Sequence, residues 1–238
     1  TGSATEANNL ALRGVVRAYQ RITNSERMNE FVNSEKIRDS LMRPRIIISA
    51  IEHGSVLETA RDLEREGVEV IYIPVNHDGI VDVKKIRVAL NDRTVLVSIM
   101  YANNEIGTIQ PIREISAIIR EFRSRHCDPL ASGEAILLEK RLPRRALAPR
   151  NDDASMYPYF HVDAVQAFQY LPCRVDDLGV DLLTLSAHKI YGPKGIGLLY
   201  IKNKNAKIKS ADQNLKFIQP IITGGHQERG MRSGTENV

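Results

Sequence analysis

Short, almost uninterrupted apolar runs, spaced by helix-like stretches, constrain this chain more than any other feature. Arg45-Ile-Ile-Ile-Ser49, Val68–Ile73, Thr94–Met100, Phe160–Val162, Asp181–Leu185 and Ile196–Ile201 are rich in β-branched residues and have strand length. Between them, Ser55–Glu66 and Pro111–Arg125 have helical spacing. In the second, Ile112, Ile115, Ile119 and Phe122 share one face, and Pro111 suits the first helical position. Strands apolar on both faces need cover on both faces. The alternation therefore predicts an α/β fold, with a mostly parallel sheet and helices on both faces.

At 238 residues and 42% hydrophobic, the chain can bury one large core or two modest ones. No apolar run approaches the roughly 20 residues needed to span a bilayer, so no membrane role is expected. Cys127 and Cys173 give neither a disulfide framework nor metal-ligand spacing. That usage suits a reducing compartment, and no metal is expected. Net charge is +4, with the basic excess gathered in Lys140, Arg141, Arg144, Arg145 and Arg150. No aromatic residues interleave with these cations, so they read as a solvated loop rather than a nucleic-acid surface.

Two stretches break the strand–helix rhythm. Residues 21–44 are polar with weak helical character, and residues 126–159 hold prolines, the basic cluster and Asn151-Asp-Asp153. Both read as surface insertions. The chain opens on Thr1-Gly-Ser-Ala-Thr-Glu without a preceding strand and stops at Arg232-Ser-Gly-Thr-Glu-Asn-Val238 without a closing element. It is expected to be a piece of something longer.

One strand delivers chemistry. Asp181-Leu-Leu-Thr-Leu-Ser-Ala-His-Lys189 runs into Ile190-Tyr-Gly-Pro-Lys-Gly-Ile-Gly197, placing a serine, a histidine and a lysine in a glycine-rich turn. A lysine amine held neutral at such a turn suits Schiff-base chemistry with pyridoxal phosphate. The cofactor's phosphate wants a helix N-terminus and hydroxyls. Gly2-Ser-Ala-Thr5, leading into Glu6–Leu12, supplies a turn and a helix start, and Ser186 and His188 add donors. The ring nitrogen needs a carboxylate, and Asp163 stands at a strand end, with Gln166 three residues on. His53 offers an imidazole to stack on the ring and move protons, and Asn104 an amide to the ring hydroxyl or a substrate carboxylate. All of these sit at or just beyond predicted strand ends, where open α/β sheets bind ligands. For each group alone a plainer reading exists: a helix cap for Asp163 and for Gly2–Thr5, an incidental histidine for His53, a surface lysine for Lys189.

Six ordered motifs resemble cysteine desulfurases of the NifS/IscS type, in the class V aminotransferase group. They are Thr1–Asn9, Ile51–Leu57, Val97–Gly107, His161–Gln166, Ser186–Gly197 and Gly224–Thr235. The resemblance implies the large domain of a PLP-dependent transferase of fold type I, spanning residues 1–238. It also implies a cytoplasmic homodimer that converts L-cysteine to L-alanine. Sulfur would pass as a persulfide to an iron-sulfur scaffold or another sulfur-acceptor protein, for cluster assembly or tRNA thiolation. By position, Lys189 is the Schiff-base lysine, Asp163 the pyridinium partner, and His53 the stacking acid or base. Ala4, Thr5, Ser186 and His188 hold the phosphate, and Asn104 and Gln166 contact the ring-hydroxyl side. Thr235 reaches the neighbouring subunit's cofactor.

The departures from that pattern are the family's N-terminal segment, its C-terminal small domain with a substrate-binding arginine, and a mobile-loop nucleophilic cysteine. None has a counterpart in this sequence, and neither Cys127 nor Cys173 is assigned the sulfur. Persulfide transfer by this polypeptide on its own is therefore not expected. A selenocysteine lyase, or another class V enzyme such as a kynureninase-like hydrolase, is the second enzymatic reading. A truncated, non-catalytic subunit of the same fold is a reading of another kind.

Overall fold

The computed structural model describes residues 1–27, 43–127, 157–202 and 217–235. Six strands form one sheet in the order β2-β1-β3-β4-β5-β6. They are β1 (Arg45–Ser49), β2 (Glu69–Ile73), β3 (Thr94–Met100), β4 (Tyr159–Asp163), β5 (Leu182–Ser186) and β6 (Gly197–Ile201). β1 to β5 pair in parallel, while β6 lies antiparallel to β5. The exception has a simple cause: residues 187–196 are too few for the crossover of a dozen or more residues that a parallel return requires. The expected α/β sheet, mostly parallel and covered on both faces, is the observed one.

Central β3 and β4 are buried at every position, which is why apolar residues take both faces of each rather than alternating with exposed ones. One face packs under α1 (Ala4–Arg27) and α2 (Gly54–Arg65), with Leu10, Val15, Ile46, Ile48, Leu96 and Leu182 in its core. The other packs under α3 (Val83–Ala89), α4 (Ile112–Cys127) and the short α5 (Val175–Leu178), with Ile47, Val97, Ile99, Ile115, Phe160 and Val162. At the sheet's amino end, Arg123 pairs with the buried Asp181, which also accepts the Phe160 N–H at 2.9 Å.

Boundaries moved by a residue or two, as helix and strand ends do. Pro111 stands just ahead of α4, and its carbonyl oxygen accepts the Ile115 N–H at 3.1 Å, so it takes the cap position rather than the first helical one. α3 has no strong sequence signature: it is seven residues long, buries only Ile86, and starts because Asp82 accepts the Lys84 and Lys85 N–H groups.

The described margins of the two stretches expected as insertions belong to the core. α1 continues through Arg27, and Thr23 is buried on it, its hydroxyl donating to the Tyr19 carbonyl at 3.0 Å. At the other end, Tyr159 opens β4 only 1% exposed, and Tyr157 packs edge-on against both Tyr19 and Tyr159. These residues belong to the core because apolar ring faces outweigh the polar neighbours that made both stretches look external. Residues 28–42 and 128–156, with the basic cluster, lie outside the described residues.

Candidate active site

Parallel strands bring their carboxyl ends to one edge, so the segments after β1, β3, β4 and β5 meet there. The start of α1 is carried to the same edge. β6 begins beside the end of β5, with Gly197 opposite Ser186, and the Gly197 N–H donates to the Thr1 carbonyl at 2.7 Å. The approach needs glycine: a Cβ at position 197 would lie 2.3 Å from the Ser3 carbonyl carbon.

Ser3-Ala-Thr-Glu6 starts α1 much as a capping box does. The Glu6 N–H donates to Ser3 Oγ at 3.1 Å, and the Glu6 carboxylate accepts the Gly2 N–H at 2.9 Å. Arg232 Nε donates to the same carboxylate at 2.9 Å, which fixes the segment 217–235 against the helix start. Burial opposes charge on Glu6, but Arg232 and the Gly2 N–H outweigh it and hold the carboxyl below its ordinary range. Ala4 is half-buried and Thr5 exposed on this first turn, and Thr235 is exposed three residues beyond Arg232.

Asp163 ends β4 and is 6% exposed. Its Oδ2 accepts from Asn8 Nδ2 at 2.8 Å and its Oδ1 from the Val165 N–H at 3.0 Å. Burial raises its pKa from the ordinary carboxylate value, against those two hydrogen bonds and nearby His53. Gln166 is half-buried on the turn that follows. Below Asp163 on the same face, His161 is fully buried and spans three strands, Nδ1 at 2.8 Å from Ser98 Oγ and Nε2 at 2.9 Å from Thr184 Oγ1. Burial pushes its pKa down to about 3, so the ring is neutral and one nitrogen donates while the other accepts.

His53 caps α2 from the loop after β1, its Nδ1 accepting the Ser55 N–H at 3.1 Å, and its ring is exposed. Just before it, Glu52 is 5% exposed: its Oε1 accepts from Ser49 Oγ at 2.5 Å and from the Met100 N–H at 2.8 Å. Asn103 ties the loop after β3 to this segment, donating to the Ile51 carbonyl at 2.9 Å, and leaves Asn104 exposed beside it. Beyond β5, Ser186 is buried and its Oγ lies 2.8 Å from His188 Nδ1. The turn closes when the Ile190 and Gly192 N–H groups both donate to the Ala187 carbonyl at 2.9 Å, which holds Lys189 outward and exposed. Tyr191 in that turn has a left-handed φ of 62°, a conformation uncommon for a bulky side chain.

Nine of the ten residues expected from sequence therefore lie on segments at the carboxyl edge or at the α1 start tied to it, and Thr235 lies on the segment 217–235 that Arg232 fastens to that start. Direct hydrogen bonds join only Ser186 to His188 among them. Asp163 and His53 are connected through two residues the sequence reading passed over, Asn8 and Ser55. Glu52 and His161 were passed over as well. Asn8 did carry a signal, since it takes a slot in the apolar i, i+3, i+4, i+7 series with Ala11, Leu12 and Val15. A polar residue on that face must find a buried partner.

Comparison with known proteins gives the family. The family described as Aminotransferase class-V matches residues 25–128 and 155–238. "Cysteine desulfurase IscS" of Dictyoglomus turgidum is 39% identical over 238 residues, which cover 100% of this chain and 44% of that protein. "Cysteine desulfurase, mitochondrial" of Eremothecium gossypii is 36% identical over 235 residues, covering 99% of this chain and 35% of that one. Among solved structures, a NifS-like protein superposes with a TM-score of 0.69 at 32% identity, covering 100% of this chain and 48% of its own. DndA from Streptomyces lividans gives 0.65 at 30% identity, covering 99% and 50%. The chain thus spans half or less of the length of each of these relatives. With the profile matched on both sides of residues 129–154 and the sheet shared with the solved structures, the chain belongs to the class-V aminotransferase family, whose members use pyridoxal phosphate.

Proposed function

We propose that this chain is the cofactor-binding part of a cysteine desulfurase, which converts L-cysteine and an acceptor thiol into L-alanine and a persulfide. The observation that carries the reading is a buried carboxylate, Asp163, aimed at the same sheet edge as an exposed lysine, an exposed histidine and a helix start. The relatives named as cysteine desulfurases supply the substrate.

The residues present fit pyridoxal phosphate. Asp163 is desolvated and biased toward holding a proton, a cost that a cationic ring nitrogen would remove. By the same coupling, the carboxylate would keep that nitrogen protonated. Thr5 at the start of a 24-residue helix, with Ser186 and His188 nearby in the fold, gives a phosphate dianion hydroxyls and an N-terminal dipole. Asn8 Oδ1 is buried without a hydrogen-bond partner among the described residues, so the carboxylate's surroundings still hold unspent polar capacity. When bound, the cofactor supplies an electron sink for breaking bonds at the substrate's α-carbon.

The chain's own groups do the rest. Lys189 Nζ would hold the cofactor aldehyde and would be the base for the substrate's Cα proton. His53 would stack on the ring and move a proton at its Nε2. Gln166 and Asn104 would steady the ring-hydroxyl side. Cys173 does not carry the sulfur in this scheme, because burial raises its thiol pKa and it packs against the core under α3, α4 and α5. Assembly as a homodimer, with Thr235 reaching the partner's cofactor, delivery of sulfur to an iron-sulfur scaffold and a cytoplasmic setting belong to the same proposal. None of the helices among the described residues is long and apolar enough to cross a membrane.

Incubating the purified chain with pyridoxal phosphate, trapping with borohydride and mapping the modified peptide tests the reading. Label on Lys189, absent from Lys189→Ala, is expected. Label elsewhere, or retained in Lys189→Ala, overturns it.

A further inference from the structure

The polar groups beside Asp163 form a line of hydrogen bonds whose direction can be worked out. Asn8 is 0% exposed on α1, and its Nδ2 carries two hydrogens. Both are committed: one reaches Asp163 Oδ2 at 2.8 Å and the other Ser55 Oγ at 2.8 Å. With Asp163 ionised, the reverse orientation of the amide would set Oδ1 against a carboxylate oxygen, so in that state the assignment follows from charge. Ser55 Oγ thus accepts from Asn8 and keeps its own hydrogen to give. His53 Nδ1 lies 2.8 Å from it. The Ser55 backbone N–H, which can only donate, reaches the same nitrogen at 3.1 Å. With two donors directed at Nδ1, that nitrogen carries no hydrogen, and the neutral ring holds its proton on Nε2.

We infer that Asn8 and Ser55 are positioning residues that link the Asp163 carboxylate to His53 and hold His53 as the Nε2–H tautomer. The inference rests on the reading of His53 as the group that meets the cofactor ring. Three elements converge in this line: the end of β4, the first turns of α1 and the start of α2. Through it, the carboxylate that serves the ring nitrogen and the imidazole that serves the ring face share one hydrogen-bonded frame. Nδ1 is taken up by the Ser55 contacts, so Nε2 is the nitrogen left to act. The N-cap geometry alone would fix His53 through the Ser55 N–H. The hydroxyl and Asn8 add the connection to Asp163.

Long-range proton–nitrogen NMR of the imidazole, at about pH 8 and above the ordinary imidazole range, reads the tautomer directly. It needs no cofactor, and the His53 signals are assigned by their loss in His53→Gln. The native chain is expected to show a pyridine-type Nδ1 displaced by hydrogen bonding and a pyrrole-type Nε2. Ser55→Ala should move Nδ1 toward the value of an unbonded nitrogen, Asn8→Ala should move it in part, and Ser55→Thr should restore the native position. An Nδ1–H pattern in the native chain overturns the inference without any variant. An Nδ1 signal unmoved in a folded Ser55→Ala overturns it too. Borohydride labelling of Lys189 in native chain and in Ser55→Ala separates the two readings. No labelling of native Lys189 defeats the proposed function, whereas normal labelling with an unmoved Nδ1 defeats the relay alone.

Discussion

Replacing Glu52 by glutamine should flatten much of the pH dependence of folding between pH 5 and 8. The Glu52 carboxyl is fully enclosed between the ends of β1 and β3, and burial is the largest influence on it. The Ser49 hydroxyl and Met100 N–H, both on Oε1, offset part of that, while the charge of Asp163 adds to it, and the pKa is pushed up to about 8 from 4.5. Oε2 has no hydrogen-bond partner among the described residues, as expected of an oxygen whose charge nothing nearby stabilises. Between pH 4.5 and 8 the folded chain keeps a proton that the unfolded chain has released. Stability from this group is therefore complete below the lower value and is lost as pH rises through the upper one. At about 1.4 kcal/mol per pH unit, the loss from pH 5 to pH 8 comes to about 4 kcal/mol. Structural opening that hydrates the carboxylate would make that figure a ceiling. Glutamine keeps an acceptor at Oε1 and does not titrate. Its new N–H groups bring a cost that is the same at every pH, so the slope is the quantity to read. Urea unfolding followed by circular dichroism at pH 5, 6.5 and 8, without added cofactor, gives it. Glu52→Gln should gain on the native chain steadily across the series. Parallel profiles for the two proteins would refute the reasoning.

Other substitutions probe the frame that carries the site. Asp181→Ala leaves the Arg123 guanidinium and the Phe160 N–H without their buried acceptor and should cost about 3 kcal/mol in urea unfolding; a loss under about 1 kcal/mol would mean that the pair is hydrated. Gly197→Ala drives a Cβ into the Ser3 backbone, 2.3 Å from its carbonyl carbon and 2.5 Å from its oxygen. It should destabilise by about 1–3 kcal/mol and speed hydrogen exchange at the first turn of α1, and normal exchange there would count against that close approach. Gly14→Ala meets Ile218 Cγ1 at 2.6 Å and the Gln219 oxygen at 2.7 Å, so it should loosen the segment 217–235 from α1, read as faster cleavage there by added protease.

The sheet was legible because β3 and β4 are buried on both faces, and that condition writes itself into sequence as short runs in which apolar residues occupy both faces, interrupted only by Ser98, His161 and the terminal Thr94 and Asp163. Helices with one buried stripe, such as α4, were legible for the same reason. α1 was harder to read: residues 21–27 look polar, yet their helix passes under the 157–159 aromatics that pack against Tyr19, and nothing local encodes that neighbour. The antiparallel β6 follows from the length of a turn rather than from composition. At the site, groups with a chemical identity, a lysine in a glycine-rich turn or a carboxylate at a strand end, announced themselves. The residues that hold them did not. Asn8, Glu52 and His161 are read as ordinary polar residues until burial shows that each must account for its hydrogen bonds, and half-buried Ser55 until Asn8 is seen to reach it.

That division has a physical basis and bears on what sets the site's rigidity. Lys189, His53, Thr5 and Asn104 are all exposed, and an exposed side chain alone keeps most of its rotamer freedom. What reduces that freedom lies beneath the surface. His161 ties β3, β4 and β5 together below Asp163, and Asn8 locks Asp163 to α2. Ser49 and the Met100 N–H pin Glu52, and with it the start of the loop that carries His53. All but the part-buried Asn8–Ser55 contact are buried, so breaking one of those leaves polar atoms without water and costs on the order of 1–3 kcal/mol. A weak surface contact would leave the edge groups to wander. The chemistry-bearing groups can therefore remain open to a cofactor and a substrate while their backbone positions are fixed from below. Ser55 stands apart: half-buried at the margin of this network, it continues into a side chain, His53, that is exposed and assigned to the reaction.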